Sequence, residues 1–195
     1  MEPSASPVLK TELARIPWSR YVLFFGLSVV GTAADLLSKQ FVFNWRGLPG
    51  ELPPWWLIEP YVGIEIAVNQ GALFGLGQGK GWLFAVMSVI ALVGICTWLF
   101  VYKASLSRWI TVTMGLVVGG ILGNLYDRLA IPELPVPYRG GVRDWILFKY
   151  QDYVWPNFNI ADSLLVAGAI MLAIHTVFMQ PSPTETKGAS ESSAG

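Results

Sequence analysis

The sequence predicts an all-α membrane protein, a bundle of four transmembrane helices carrying a small β element outside the bilayer. Three observations lead there. Only 13% of the 195 residues are charged, against 53% hydrophobic and a mean hydropathy of +0.50, whereas soluble domains carry about a quarter charged residues. Four segments stay apolar over the roughly 20 residues a helix needs to cross about 30 Å of hydrocarbon. Nine tryptophans also suit a membrane, because indole rings favour the headgroup boundary.

The first 20 residues are polar, with Lys10, Arg15 and Arg20 ahead of an apolar stretch, as in a signal peptide. That stretch runs on too far and lacks a small-residue cleavage site, so a retained first span is expected at about 21–42, interrupted by Asp35 and Lys39. In the long loop that follows, Val62, Ile64, Ile66 and Val68 alternate with Gly63, Glu65 and Ala67, the period of a strand. Asn69-Gln70-Gly71 supplies a turn, after which Ala72 to Leu76 is expected to return alongside. Trp55-Trp56, behind two prolines, is expected to rest on the membrane surface.

The second span, about 82–102, carries no charge and contains the single cysteine, Cys96. No intrachain disulfide is possible, and Cys96 is read as a small buried side chain. Only Lys103 to Arg108 separate it from the third span, about 109–126, where Gly115, Gly119 and Gly123 recur every fourth residue with Gly120 beside them. Such spacing lets a neighbouring helix approach closely, and packing inside the bundle is favoured over dimerisation. The fourth span, about 158–179, has Asp162 near its start and His175 near its end. The Ser-, Thr-, Gly- and Pro-rich tail from Pro181 to Gly195 is expected to be disordered. The whole, 1–195, reads as one membrane-embedded domain.

Four spans traced up and down put both long connections on one side. The end of span one, the end of span three and the start of span four share that side. Asp35, Lys39, Asp127, Arg128 and Asp162 therefore converge on one face, with Asp144 in the loop above. Orientation is less determined: the termini and short loop carry six Lys and Arg, the long connections seven. Density favours cytoplasmic termini, but the count does not decide it.

An ionisable group at membrane depth costs about 2.5–3.5 kcal/mol on insertion scales, so each needs a reason. Asp35 and Lys39, four apart on one helical face, can pair. Asp127 and Arg128 can anchor a helix end. Asp162 lies in the opening turns of span four behind Asn159, where a helix N-terminus favours a carboxylate. A second carboxylate brought close would let the two share a proton, the condition for aspartyl catalysis. Candidate partners are Asp144, Asp127 and, behind them, Asp152. No H-E-x-x-H, Cys/His cluster or G-x-S-x-G motif offers another hydrolytic chemistry, and His175 is far from the acids. A zero formal net charge leaves no basic field for nucleic acid. On physics alone, a proton- or cation-coupled transporter using Asp35, Asp127 and Asp162 stays open, as does a scaffold assembling through the glycine face.

Five patches in order resemble lipoprotein signal peptidase, also called signal peptidase II. They are Asp35-x-x-x-Lys39; Asn69-x-Gly71-Ala72-x-Phe74; Gly119-Gly120-x-x-Gly123-Asn124-x-x-Asp127-Arg128; Asp144-Trp145-Ile146; and Phe158-Asn159-x-Ala161-Asp162-Ser163. The resemblance implies an inner-membrane aspartyl endopeptidase with both termini cytoplasmic and its β element and site on the outer side. Such an enzyme cuts prolipoproteins before a diacylglyceryl-modified cysteine. Asp144 and Asp162 match the catalytic aspartates. Asp35, Lys39, Asn69, Gly71, Asn124, Asp127, Arg128 and Asn159 fall in the motifs that line or support the site, with Asp127 the reserve catalytic candidate. The resemblance implies no metal and no organic cofactor, membrane lipid as surroundings, and a monomer. Two departures stand out: a fifteen-residue connection, Leu129 to Arg143, rich in Pro and Gly and expected to be irregular, and Arg143 where an apolar residue is expected.

Overall fold

The computed structural model describes residues 15–71 and 79–178. The expected return strand at Ala72 to Leu76, Phe74 of the second patch and the tail from Pro181 lie outside them.

Among the described residues, four helices are long and apolar enough to cross a membrane. The first, α1 (Trp18–Arg46), runs 29 residues, about 43 Å at 1.5 Å per residue, so its last turns reach past the hydrocarbon to the sheet. It stops at Gly47, whose positive φ of +79° glycine accepts for want of a Cβ, and whose N–H donates to the Phe43 carbonyl. α2 (Gly81–Cys96) continues through one π turn, Thr97–Val101. A tight connection with a short 3₁₀ turn at Ala104–Leu106 leads to α3 (Arg108–Arg128). Ser107 caps α3 by accepting from the Ile110 N–H. α4 (Ile160–Phe178) closes the bundle.

α3 is the central helix. More than half of its apolar window is buried, against about a tenth in α2 and α4, and α1 and α4 are its main neighbours. Its glycines make this possible. A Cβ at Gly119 would lie 3.3 Å from the Gly31 Cα and the Ser28 carbonyl, and one at Gly115 would lie 3.2 Å from the Phe24 carbonyl. The two backbones close enough for Ser28 Oγ to donate to the Gly115 carbonyl at 3.2 Å and Thr32 Oγ1 to the Gly119 carbonyl at 3.3 Å. The glycine face is thus spent on packing within the bundle. At the end nearest the short loop, Phe24, Leu99, Ile110, Met114 and Val118 form the apolar core. Cys96 packs at its margin and is only partly buried, less than the sequence suggests.

The two long connections form one antiparallel sheet, ordered β1 (Trp55–Ile58), β2 (Val62–Asn69), β3 (Val142–Tyr150) and β4 (Tyr153–Val154). β2 is the strand its alternation predicts. β1 is a strand that the sequence pattern did not mark, and β3 is a correction. Trp55-Trp56 lies in a strand, with Trp55 edge-on to Trp45 at 5.5 Å. Asp144, expected in a loop, lies on β3, as does Arg143, while the connection is irregular as expected from 129 to 141. Ala67 pairs with Asp144 and Val68 with Arg143, and a bulge in β2 falls opposite Trp145. On β3's other edge, the Trp145 and Ile146 N–H groups both donate to the Phe158 carbonyl, at 3.0 and 2.8 Å. That bridge ties β3 to the residue just before the cap of α4.

Candidate active site

The local sequence Asn159-Ile160-Ala161-Asp162 starts α4 with a reciprocal cap. Asn159 Oδ1 accepts from the Asp162 N–H at 2.9 Å, and Asp162 Oδ2 accepts from the Asn159 N–H at 3.2 Å. The carboxylate is therefore fixed at a helix N-terminus, a favourable place for negative charge. A second carboxylate arrives from α1, where Asp35 Oδ1 accepts from the Ala161 N–H at 2.9 Å.

Asn159 is fully buried and its side chain also reaches β3. Nδ2 donates to Asp144 Oδ1 at 2.6 Å, and longer bonds run to Asn124 Oδ1 at 3.1 Å and the Arg143 carbonyl at 3.4 Å. Asn124, on α3, donates in turn to Asp162 Oδ1 at 2.9 Å and accepts from Lys39 at 2.9 Å. Asn159 thus bonds both Asp144 and Asp162, and Asn124 adds a second hold on Asp162 alone. Asp144 is 3% exposed, and Asp162 is only half-buried, so the pair opens on the Asp162 side. Burial first, and then the neighbouring Asp162 charge, hold the Asp144 carboxyl well above the ordinary carboxylate range. The Asn159 bond and Lys39 act against that rise, and Asp127 adds to it.

Asp127, the reserve candidate, is occupied elsewhere. Its Oδ1 accepts from Arg143 Nε at 3.0 Å and pairs with a terminal guanidinium nitrogen at 2.9 Å. Its Oδ2 takes the Arg143 N–H at 3.0 Å and lies 3.1 Å from Lys39 Nζ. Lys39 pairs with Asp35 at 2.6 Å, as their spacing predicts. Two acids and two bases, none more than 3% exposed, close into a neutral quartet. Asp152 is exposed in the turn after β3, well along the strand from Asp144. His175 sits in the last turn of α4, at the opposite end of the bundle.

Arg128 does not touch either carboxylate. It donates to the Gly71 carbonyl at 2.7 Å and lies over the Phe84 ring at 4.7 Å. Asn69 Oδ1 accepts from the Gly71 N–H at 2.9 Å, so Asn69, Gly71 and Arg128 together shape the loop beside the site. An open cleft of about 220 Å³ borders Arg128, with Gln70, Trp82 and Arg139 along its walls. Sequence reasoning missed one participant outright: Arg143 read as a departure from a pattern, yet it is buried and triply bonded to Asp127. A buried cation always needs a counter-charge, but nothing in the spacing identified Asp127 as that partner.

Comparison with known proteins follows the same residues. A family model described as Signal peptidase (SPase) II matches residues 27–178. The lipoprotein signal peptidase of Rhodopirellula baltica is 56% identical over 167 residues, covering 84% of this chain and 75% of that one. That of Pseudomonas syringae pv. tomato is 36% identical over 172 residues, covering 84% and 87%. A bacterial membrane enzyme solved by the in meso method at 2.3 Å superposes with a TM-score of 0.67 at 26% identity, over 79% of this chain and 87% of that one.

Proposed function

The chain belongs to the signal peptidase II family, and from that premise we propose that it cuts by an aspartyl mechanism with Asp144 and Asp162 as the catalytic pair. It is a multi-pass membrane protease that removes signal peptides from prolipoproteins. One observation carries the mechanistic reading: Asn159 grips both carboxyls at once, through Nδ2 on Asp144 and its backbone N–H on Asp162.

The two acids divide the work by environment. Asp144, buried and held high, keeps a proton and donates it as a hydrogen bond to the scissile carbonyl. Asp162, capped and facing the open side, takes a proton from the attacking water. Water oxygen bonds to the carbonyl carbon as the carbonyl oxygen takes the Asp144 proton, giving a tetrahedral diol, one of whose hydroxyls returns a proton to Asp144 on collapse. As the C–N bond breaks, a carboxyl proton passes to the leaving amine, so the products are a new carboxyl terminus and a free amino terminus. Asn124 and Asn159 keep the pair in register. The Asp35–Lys39–Asp127–Arg143 quartet keeps the neighbouring charges neutral, and Arg128 and Asn69 hold the loop through Gly71.

The bond cut is the one before a diacylglyceryl-modified cysteine, with the lipid chains lying against the bundle while the peptide enters from the sheet side. The protein works as one domain and one monomer in the inner membrane, termini cytoplasmic and sheet outward, without metal or organic cofactor. The test is to replace Asp144 and Asp162 singly by Asn in purified protein and follow a lipidated precursor. Loss of turnover in both, with the fold retained, is expected, and turnover retained in either removes that residue from the pair. A precursor lacking diacylglycerol is expected to be cut far more slowly, and equal cutting would end the lipid requirement.

A further inference from the structure

We propose that Arg143 is a positioning residue for the reaction, acting through Asp127 to hold the peptide that carries Asp144 in its reactive place; this rests on the reading of Asp144 as catalytic. Arg143 is 3% exposed and immediately precedes Asp144 on β3. The two side chains go opposite ways, as neighbours on a strand do. Asp144 meets Asn159 of the α4 cap, and Arg143 meets Asp127 of α3, Gln40 at 3.4 Å and the Phe43 ring at 5.8 Å of α1.

Charge balance alone does not account for this arrangement. One carboxylate of Asp127 receives three bonds from Arg143: the backbone N–H on Oδ2, and Nε and a terminal nitrogen on Oδ1. The guanidinium fork fixes direction as well as charge, which an ammonium cannot do. The peptide is then pinned on its other side, since the Arg143 carbonyl accepts from the same Asn159 Nδ2 that holds Asp144. The backbone leading into Asp144 is thus clamped between α3 and α4, and β2 supports it through the Val68–Arg143 pairing. Displacing a reacting group by about 1 Å costs roughly a hundredfold in rate. A buried Arg143 turned away from the open side has no reach to substrate, so its loss falls on kcat and leaves KM alone.

Full-length protein in bilayer nanodiscs is assayed with a diacylglyceryl precursor peptide. Arg143→Lys keeps the charge and loses the fork. The exchange Asp127→Leu with Arg143→Met replaces one buried ion pair by apolar packing and leaves Asp35 with Lys39. The expected result is a several-fold fall in kcat for Arg143→Lys and tenfold or more for the exchange, each with KM within about twofold of the parent. The melting temperature of Arg143→Lys stays near the parent's, so its rate loss is not lost protein. Parental kcat in either variant, or a rise in KM at unchanged kcat, overturns the proposal. Asp144→Asn runs alongside: if it still turns over, the catalytic reading fails, whereas parental kcat in the Arg143 variants with a dead Asp144→Asn sinks the positioning role alone.

Discussion

The two ends of the bundle are built by different forces. At the end by the short loop, Phe24, Leu99, Ile110, Met114 and Val118 pack as an apolar core, and rings stack around it, Tyr21 on Phe100 at 4.7 Å and Phe24 edge-on to Phe100 at 5.3 Å. Polar side chains there bond to nearby backbone, as Ser105 Oγ does to the Leu99 carbonyl. At the sheet end, the buried polar groups are Asp35, Lys39, Asp127, Arg143, Asp144 and Asn159, joined, apart from the Asp35–Lys39 pair within α1, by bonds between different elements. The first end tolerates approximate fit because dispersion is non-directional. The second depends on each partner, since a buried charge stripped of its counter-charge is costly. Stability can therefore be altered at one end without touching chemistry, while at the other the loss of a counter-charge alters both.

The largest effect expected is at the sheet end. Asp144→Asn or Asp162→Asn should lower precursor processing by about 10²–10⁴-fold, with melting temperature little changed; a loss confined to melting temperature would break the division between ends. At the opposite end, Leu99→Ala, at a fully buried site, should cost about 2–5 kcal/mol of stability while folded protein keeps its processing rate. Unfolding curves and turnover of the same sample check both halves. Gly123→Ala sets a Cβ against the Asp35 carboxylate, and overpacking of this kind costs about 1–3 kcal/mol. Because Asp35 caps α4 and pairs with Lys39, processing should fall with stability. Gly26→Ala, with nothing within 4 Å of the new Cβ, is the matched control and should lose neither.

Asn159→Ala sharpens the contrast through pH. In the proposed mechanism Asp144 keeps its proton to act as acid, so processing is expected to decline as pH rises through its raised pKa. The Asn159 bond favours the ionised form, so removing it should move that decline to higher pH, on a reduced rate, with about 0.5–2 kcal/mol of helix-cap stability lost. A pH–rate profile with an unmoved alkaline limb would contradict this. The smallest effect belongs to Ser28→Ala, which deletes the hydroxyl bond to the Gly115 carbonyl and should cost roughly 0.6 kcal/mol, read by reversible unfolding in mixed micelles.

Much of this was legible residue by residue. The four spans followed from hydropathy, because a bilayer imposes length and polarity on any helix that crosses it. The alternation at Val62 to Val68 marked β2. β1 and β3 escaped notice, since Trp55–Ile58 is only four residues long and β3 begins inside a stretch of prolines and glycines. The spacing of Asp35 and Lys39 announced their pair, and the place of Asp162 behind Asn159 announced a carboxylate at a helix N-terminus, both being features of one helical turn.

What the sequence by itself determined was therefore the membrane class, the span count and the shared face of the acids, because up-and-down parity assigns each span end to a side. Apart from the family resemblance, only tertiary structure separates the carboxyl beside Asp162 from its rival. Asp127 and Asp144 lie on the same side and are equally acidic by composition. Their difference is that Arg143 and Lys39 engage Asp127, while Asn159 engages Asp144. Such bonds join residues as distant as Asp35 and Ala161, 126 positions apart, and no local period encodes them. They form only when packed helices bring the elements to hydrogen-bonding distance, where geometry and the cost of an unpaired buried charge select one partner over another.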